Sequence, residues 1–155
     1  MQRTTLLLGV AALILALAPA GAASTQPAAG TFVQGPGTIT GEQIADGNLI
    51  VDITREVVFT GTYTGVGQAE ERIIIHKDGS TNVNGTIVFT GLSCGVPTTL
   101  VFLLTGQGQL EPPLFETGTV AGTYTVLREG VGHGTGKFEG AAGGAGTYEG
   151  DAHCT

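Results

Sequence analysis

The sequence feature that most constrains the fold is a glycine-rich stretch near the end of the chain, residues 134–150 (GTGKFEGAAGGAGTYEG). In steps of two, glycine alternates with an aromatic residue on one parity, around Phe138 and again around Tyr148, while threonine and charged residues occupy the other parity. Because successive side chains of a strand point to opposite faces, this pattern predicts two strands with one face in solvent. The small residues between them predict a hairpin turn. Glycines beside aromatic rings on the inward face suit a tightly curved sheet.

The rest of the chain after residue 30 shows similar short alternating segments separated by turn residues. The predicted strands cover residues 49–53, 56–64, 68–77, 81–89, 98–104 and 118–126, after an interrupted first strand over 31–41. The pair Asp78-Gly79 is the strongest predicted hairpin turn, since it readily takes positive φ angles, and residues 65–67 (GVG) are predicted as another turn. With 27 glycines and no helical period, the sequence predicts an all-β fold. We expect a small antiparallel eight-stranded barrel, with a β-sandwich as the alternative.

The first 23 residues have the layout of a secretory signal peptide. Arg3 supplies a positive start, an apolar run extends from Leu6 to Leu17, and small residues surround Ala22 and Ala23, where cleavage is expected. The run is too short for a comfortable membrane span. The sequence therefore predicts a signal peptide over 1–23, a flexible linker over 24–30 and a single barrel domain over 31–155, secreted or periplasmic after cleavage.

Two cysteines, Cys94 and Cys154, lie in the part that would remain after cleavage. An even number of cysteines in an exported chain indicates a disulfide, which would clip the C-terminal strand to the loop at residues 93–97. The alternative is a pair of reactive or metal-binding thiols. The chain has no CxxC motif and its three histidines have no ligand-type spacing, so we expect a disulfide and no metal site.

The charge of the chain narrows the classes of partner. Six basic residues, one of them in the predicted signal peptide, stand against 13 acidic residues. An acidic surface attracts neither nucleic acid nor anionic membranes, so we expect neither as a partner. Lys137 is followed by Phe138 rather than by serine or threonine, which argues against a phosphate-binding loop. Without a Gly-x-Ser-x-Gly elbow, the sequence gives no support to a serine hydrolase, and no cofactor is expected.

Several of these motifs together resemble a known family. The stretch 134–144 (GTGKFEGAAGG) is similar to a glycine-rich signature of bacterial allene-oxide-cyclase-like barrels. Shorter matches lie at 59–65 (FTGTYTG), 78–80 (DGS), 89–91 (FTG), 104–106 (LTG) and 122–124 (GTY). The resemblance covers residues 48–153, to a domain family of unknown function within that superfamily, and plant dirigent proteins have a similar strand. It implies an eight-stranded barrel whose lumen can take an apolar ligand, but no catalytic residue carries over.

The candidate site residues share inward parities. Glu71 lies on the parity of Ile73 and Ile75, so a carboxylate there would face an apolar lumen and act as an acid or base. The favoured interpretation of residues 70–72 (EER) is instead a solvated strand entrance, because charges are rarely fully buried. Three tyrosines on apolar parities would either line a pocket or pack in the core. The candidate ligand-binding residues are Tyr63, Glu71, Tyr124, Phe138 and Tyr148.

Three functional hypotheses remain open. The leading one is an exported binding module for an apolar or amphipathic small molecule. The second is a secreted structural or protein-interaction domain whose barrel is filled by its own side chains. The third, less favoured, is a cyclase or isomerase, which an empty lumen containing Glu71 or a tyrosine hydroxyl would support. Residues 98–104 are apolar on both parities, so the strand is either buried on both faces or presents an outer face that would support a homo-oligomer.

Overall fold

Nine antiparallel strands follow one another through residues 24–111 and 117–154, the part of the chain that the computed structural model describes. They are β1 (Ser24–Gln34), β2 (Thr38–Ala45), β3 (Asn48–Gly61), β4 (Tyr63–Ile75), β5 (Ser80–Ser93), β6 (Val96–Leu110), β7 (Gly118–Arg128), β8 (Val131–Ala141) and β9 (Ala145–Cys154). These residues contain no helix, and so none long and apolar enough to cross a membrane. Eight strands close into a barrel, with β2 as an extra strand, which confirms the predicted all-β barrel and not the sandwich.

The barrel closes through β1. From β2 to β9 each strand pairs with the next one along the chain, whereas β1 pairs with β9 on one side and with the end of β3 on the other. Gly30 is opposite both Tyr148 and Gly61. Beyond Gln34 the wall passes to β2, which pairs with the first part of β3, from Thr38 opposite Thr54 onwards. One strand, β3, is therefore shared by two successive neighbours.

The predicted linker over 24–30 is wrong, because these residues form the first part of β1. They pair with β9 from Ser24 opposite Cys154 to Gly30 opposite Tyr148, and the side chain of Ala28 is buried. The stretch is rich in small and polar residues and carries no alternating hydrophobic pattern. Its conformation is set by a partner strand at the far end of the described chain, so local sequence gave no indication of it. The predicted signal peptide, residues 1–23, lies outside the described residues.

One predicted turn is also misplaced. Residues 65–67 lie within β4, and the chain reverses instead around Thr62, next to Gly61 with a φ of 104°. Gly65 is a strand residue whose missing side chain leaves room for the ring of Phe89, 3.2 Å from where a Cβ would be. The Asp78-Gly79 turn and the 142–144 hairpin are both confirmed. The single interrupted first strand is resolved into two strands, β1 and β2.

The glycine–aromatic alternation has a direct packing cause. An inward glycine on one strand leaves the space that an aromatic ring from another strand occupies, so the curved wall fits around large rings. A Cβ on Gly146 would collide with the ring of Phe32, and a Cβ on Gly136 would collide with the hydroxyl of Tyr124 and the backbone carbonyl of Glu149. The glycines predicted on the inward faces of these strands are therefore part of the core packing.

Replacing Gly136 by alanine is expected to lower the free energy of unfolding by about 1–3 kcal/mol, because the added methyl overpacks a site closed by backbone. Gly132→Ala, in the same strand, is the matched control, since no heavy atom lies within 4 Å of a Cβ there. Urea denaturation of both variants measures the difference. Equal stability of the two variants would show that the barrel wall relaxes freely.

The two ends of the barrel differ in packing. The closed end, defined by the turns at Thr62, Cys94–Gly95 and Glu129–Gly130, is filled by side chains. Tyr63 and Phe89 are fully buried there, with ring centroids 6.2 Å apart. The predicted disulfide between Cys94 and Cys154 is confirmed and lies at this end, with 5.7 Å between the Cα atoms. The open end, defined by the turns at 46–47, 76–79 and 142–144, is hollow.

The outer surface is only partly polar. In β6, Leu100 and Phe102 are buried, whereas Leu103 points outward and is exposed. Val58 and Val66 are also exposed and lie opposite one another on β3 and β4. The described residues thus leave apolar side chains on the outer wall, while assembly into a homo-oligomer stays a prediction.

Candidate functional site

A cavity of about 240 Å³ occupies the open end of the barrel. Its floor is the upper surface of the aromatic core, made by Phe59, Phe102, Tyr124 and Tyr148. Its walls are the inward side chains nearer the rim, mostly aliphatic: Val51, Ile73, Ile75, Val83, Leu104, Leu110 and Val120, with Thr81 and Thr119 beside them. As formed by the described residues, the cavity is therefore an apolar cup that is open at one end and sealed below by packed rings.

An ion pair interrupts this apolar wall. Arg55 on β3 and Glu71 on β4 both point inward, and they are only 9% and 6% exposed. The Nε atom of Arg55 lies 3.0 Å from Oε2 of Glu71, and Nη1 donates a hydrogen bond of 3.1 Å to Oε1 of Gln34. All three side chains line the cavity. They are the charged and amide groups that a molecule in the cup would meet.

The pairing of Arg55 and Glu71 is electrostatic rather than a well-aligned hydrogen bond. Despite the short distance, Nε of Arg55 is among the buried polar atoms that have no hydrogen-bond partner within the described residues. A buried N–H without an acceptor is costly, so such a group is commonly satisfied by a ligand or by water. Nε itself lies against Glu71, whereas Nη2 makes no hydrogen bond within the described residues and remains free to donate one.

Burial dominates the electrostatics of Glu71. Desolvation raises the pKa of this carboxyl above its ordinary value, because the charged form loses its hydration, and the positive charge of Arg55 offsets part of that rise. The outward ion pair on the same two strands behaves differently. Arg72 donates two hydrogen bonds, of 2.7 and 2.9 Å, to the carboxylate of Asp52, which lowers the pKa of Asp52. The barrel wall thus separates a buried ion pair from a solvated one.

The inward parity predicted for Glu71 is confirmed, and the favoured interpretation of residues 70–72 as a solvated entrance is wrong for Glu71. Burial is possible because Arg55 supplies the opposite charge. Gly85 on the neighbouring strand supplies space, since a Cβ there would lie 3.0 Å from Cγ of Glu71. Sequence reasoning missed Arg55, which falls between the predicted strands 49–53 and 56–64. In the structure β3 is continuous, and Arg55 shares its inward face with Val57 and Phe59.

The other candidate residues are distributed over two levels. Tyr124, Phe138 and Tyr148 line the cavity together with Glu71, whereas Tyr63 lies below them and is fully buried. The hydroxyl of Tyr148 is held by backbone: it accepts a hydrogen bond from the N–H of Tyr63 and donates one to the carbonyl of Thr60, both 2.9 Å. Burial raises the pKa of Tyr124 to about 12, so this phenol stays protonated at neutral pH.

The histidines do not form a metal centre. His133 is buried at the closed end, with Nε2 3.3 Å from Oγ of Ser93, and burial lowers its pKa. His76, at the open end, contacts Asn48 and Asn82 through its two ring nitrogens. Among the described residues, no three or more histidine, cysteine, aspartate or glutamate side chains are arranged to hold a metal ion. Within the described part of the chain, the cup with its Arg55–Glu71 ion pair is therefore the candidate functional site.

Comparisons with known proteins identify no relative from which the role of this site could be inferred. No model of a protein family matches the chain. No curated protein matches it significantly either. The resemblance to allene-oxide-cyclase-like barrels, which rests on short glycine motifs, therefore stays a prediction.

Proposed function

We propose that this protein is an exported binding module whose barrel holds a small, mainly apolar molecule in the cup at its open end. The observation that carries the proposal is the cup itself, with aliphatic walls, an aromatic floor and few polar groups. Binding sites for small molecules are typically concave and apolar with a few placed polar side chains, and barrel mouths are a common location. The disulfide is compatible with the oxidising compartment that the predicted signal peptide implies.

The volume of the cup limits the size of the ligand. At about 240 Å³ it exceeds the cavity of roughly 150 Å³ that binds benzene in an engineered protein, and it falls below the roughly 300 Å³ typical of drug-sized ligands. Scaled by volume, the enclosed part of a ligand has about ten non-hydrogen atoms. A fused bicyclic molecule or a short branched chain has this size.

Naphthalene is a suitable first probe, because its fluorescence is readily monitored and its ten carbon atoms match the cup. We expect saturable binding to the wild-type protein. Val83→Phe places a ring into the cup and is expected to weaken binding about tenfold or more. Val88→Phe is the matched control, because it makes the same change in the same strand on the outer face, where Val88 is 51% exposed.

Native mass spectrometry of the gently purified protein provides an independent test. A small molecule that is released on denaturation would establish the pocket and give its chemical class. Failure to bind naphthalene, together with a spectrum free of any bound molecule, would contradict the proposal. The barrel would then be a scaffold, as the filled closed end suggests for that half.

A cyclase or isomerase is the second candidate function. The observation that favours it is a buried carboxylate, Glu71, with a raised pKa inside an apolar lumen, which is the environment of many general acids and bases. We rank this catalytic function below binding, because Arg55 lies 3.0 Å from Oε2 of Glu71 and already engages that carboxylate. Chemical change of a molecule recovered from the protein, lost in Glu71→Gln with binding retained, would reverse this order.

A further inference from the structure

The ion pair in the wall of the cup restricts the chemistry of the ligand beyond its size. The guanidinium of Arg55 carries five N–H groups. Within the described residues, one of them makes an aligned hydrogen bond, from Nη1 to Oε1 of Gln34. Its Nε is fully buried and lies 3.0 Å from Oε2 of Glu71, so this N–H is turned to the carboxylate and not to the cavity. Nη2 makes no hydrogen bond within the described residues and is not among the fully buried atoms, so it is the donor that Arg55 can offer in the cavity it lines.

The backbone around Arg55 leaves the guanidinium uncovered. Two glycines flank it: a Cβ on Gly143 would lie 3.6 Å from Nη1, and a Cβ on Gly37 would lie 3.9 Å from Cζ. Gly143 has a φ of 67°, a conformation that side-chain-bearing residues rarely adopt. Neither position places a side chain over the guanidinium, and Arg55 lines the cavity, so an acceptor atom in the cup can approach the Nη groups.

The charge balance of the site then selects among possible ligands. Arg55 and Glu71 neutralise each other, so an anionic ligand would add a second negative charge beside Glu71. A cationic ligand would add a second positive charge beside Arg55. Either would leave an uncompensated charge in an apolar site, which is costly. An uncharged acceptor oxygen satisfies the open donor without disturbing this balance.

We infer that the cup selects an uncharged, largely apolar molecule that carries a carbonyl oxygen, such as a ketone, aldehyde or lactone, and that Arg55 donates a hydrogen bond to that oxygen. This inference rests on the proposed binding function and names the ligand class for the same site. The hydrocarbon part lies against the aliphatic wall and the aromatic floor, and Glu71 holds the guanidinium in place.

A matched series of bicyclic molecules tests the inference: tetralin, 1-tetralone and the carboxylate of tetralin, each competing with naphthalene. The critical variant is Arg55→Met combined with Glu71→Leu, which removes both charges while keeping similar volumes. We expect the affinity of 1-tetralone relative to tetralin to fall about tenfold or more in the double variant. We also expect the carboxylate to compete more weakly than the ketone with the wild-type protein at neutral pH.

The outcomes separate the inference from the proposed function. If tetralin and naphthalene bind but the relative affinity of 1-tetralone is the same in both proteins, the inference is overturned and the binding function stands. A carboxylate that binds more tightly than the ketone overturns it as well. If neither naphthalene nor any member of the series binds, and the native mass spectrum contains no bound molecule, the binding function fails together with the inference.

A second measurement does not depend on the stability of any variant. The infrared stretching band of ¹³C-labelled 1-tetralone bound to the wild-type protein reports directly on its carbonyl. A shift to lower wavenumber than in hexane is expected, because a hydrogen bond from a guanidinium weakens the C=O bond. A band at the hexane position would overturn the inference.

Discussion

Arg55→Met is expected to lower the free energy of unfolding by about 3–5 kcal/mol at neutral pH, because it leaves the Glu71 carboxylate buried without its partner. The double variant with Glu71→Leu is expected to recover most of this loss, since an apolar pair of similar volume carries no buried charge. Urea denaturation of the wild-type protein and both variants measures the effect.

The stability that Arg55→Met loses relative to the wild-type protein is expected to increase with pH. Burial already raises the pKa of Glu71, and removal of Arg55 removes the opposing effect of its charge. A carboxyl whose folded-state pKa exceeds its unfolded-state value binds a proton more tightly in the folded state, so stability falls as pH rises above the unfolded value. The deficit should therefore be largest at about pH 8 and shrink towards about pH 5.

Arg72→Met is the control for this experiment, because Arg72 forms the solvated ion pair with Asp52 on the outer face of the same strands. Exposed pairs contribute little to stability, so a much smaller change is expected. If the two methionine variants lose equal stability, or if the double variant is no more stable than Arg55→Met, the Arg55–Glu71 pair is not the buried charge pair that the structure indicates.

Removing the disulfide is expected to have the second large effect. Cys94 and Cys154 are 60 residues apart, and in the chain-entropy model a loop of this length contributes about 4 kcal/mol by restricting the unfolded chain. The variant with Cys94→Ala and Cys154→Ala should lose about this much in urea denaturation.

Reduction of the wild-type protein should reproduce that loss, and the same reductant should leave the double alanine variant unchanged. The bond joins the β5–β6 turn to β9 at the closed end, away from the cup. Naphthalene binding should therefore survive under conditions in which the reduced barrel remains folded. An unfolding midpoint that is insensitive to reduction would contradict the entropic account.

The parts of the fold that local sequence encodes are the ones the sequence predicted. Alternation gave the inward faces, as in Phe138 on β8 and Tyr148 on β9, and Asp78-Gly79 gave a turn. What failed depends on partners distant in sequence. Residues 24–30 become a strand because β9 lies beside them, and Gly65 is a strand residue because it pairs with Phe59 on β3 and Gly91 on β5.

The candidate site was also predictable only where local sequence encodes it. The parity of Glu71 with Ile73 was visible in the sequence, so its inward orientation could be predicted. Its burial could not, because burial requires a partner charge, and Arg55 was assigned to a gap between strands. A charged residue on an inward parity requires a second, oppositely charged residue on a neighbouring strand. A search of the neighbouring strand for such a residue would have found Arg55.

The closure of the barrel by β1 has a consequence for the rate of folding. Strands β2 to β9 pair in chain order through hairpins, whereas β1 must meet β9 from the opposite end of the described chain. Contacts between distant segments form late, because the entropy of the intervening chain is lost before they are made. Closure should therefore limit the rate. Until it occurs, β1 and β9 each have one unpaired edge, and aggregation competes with folding during that interval.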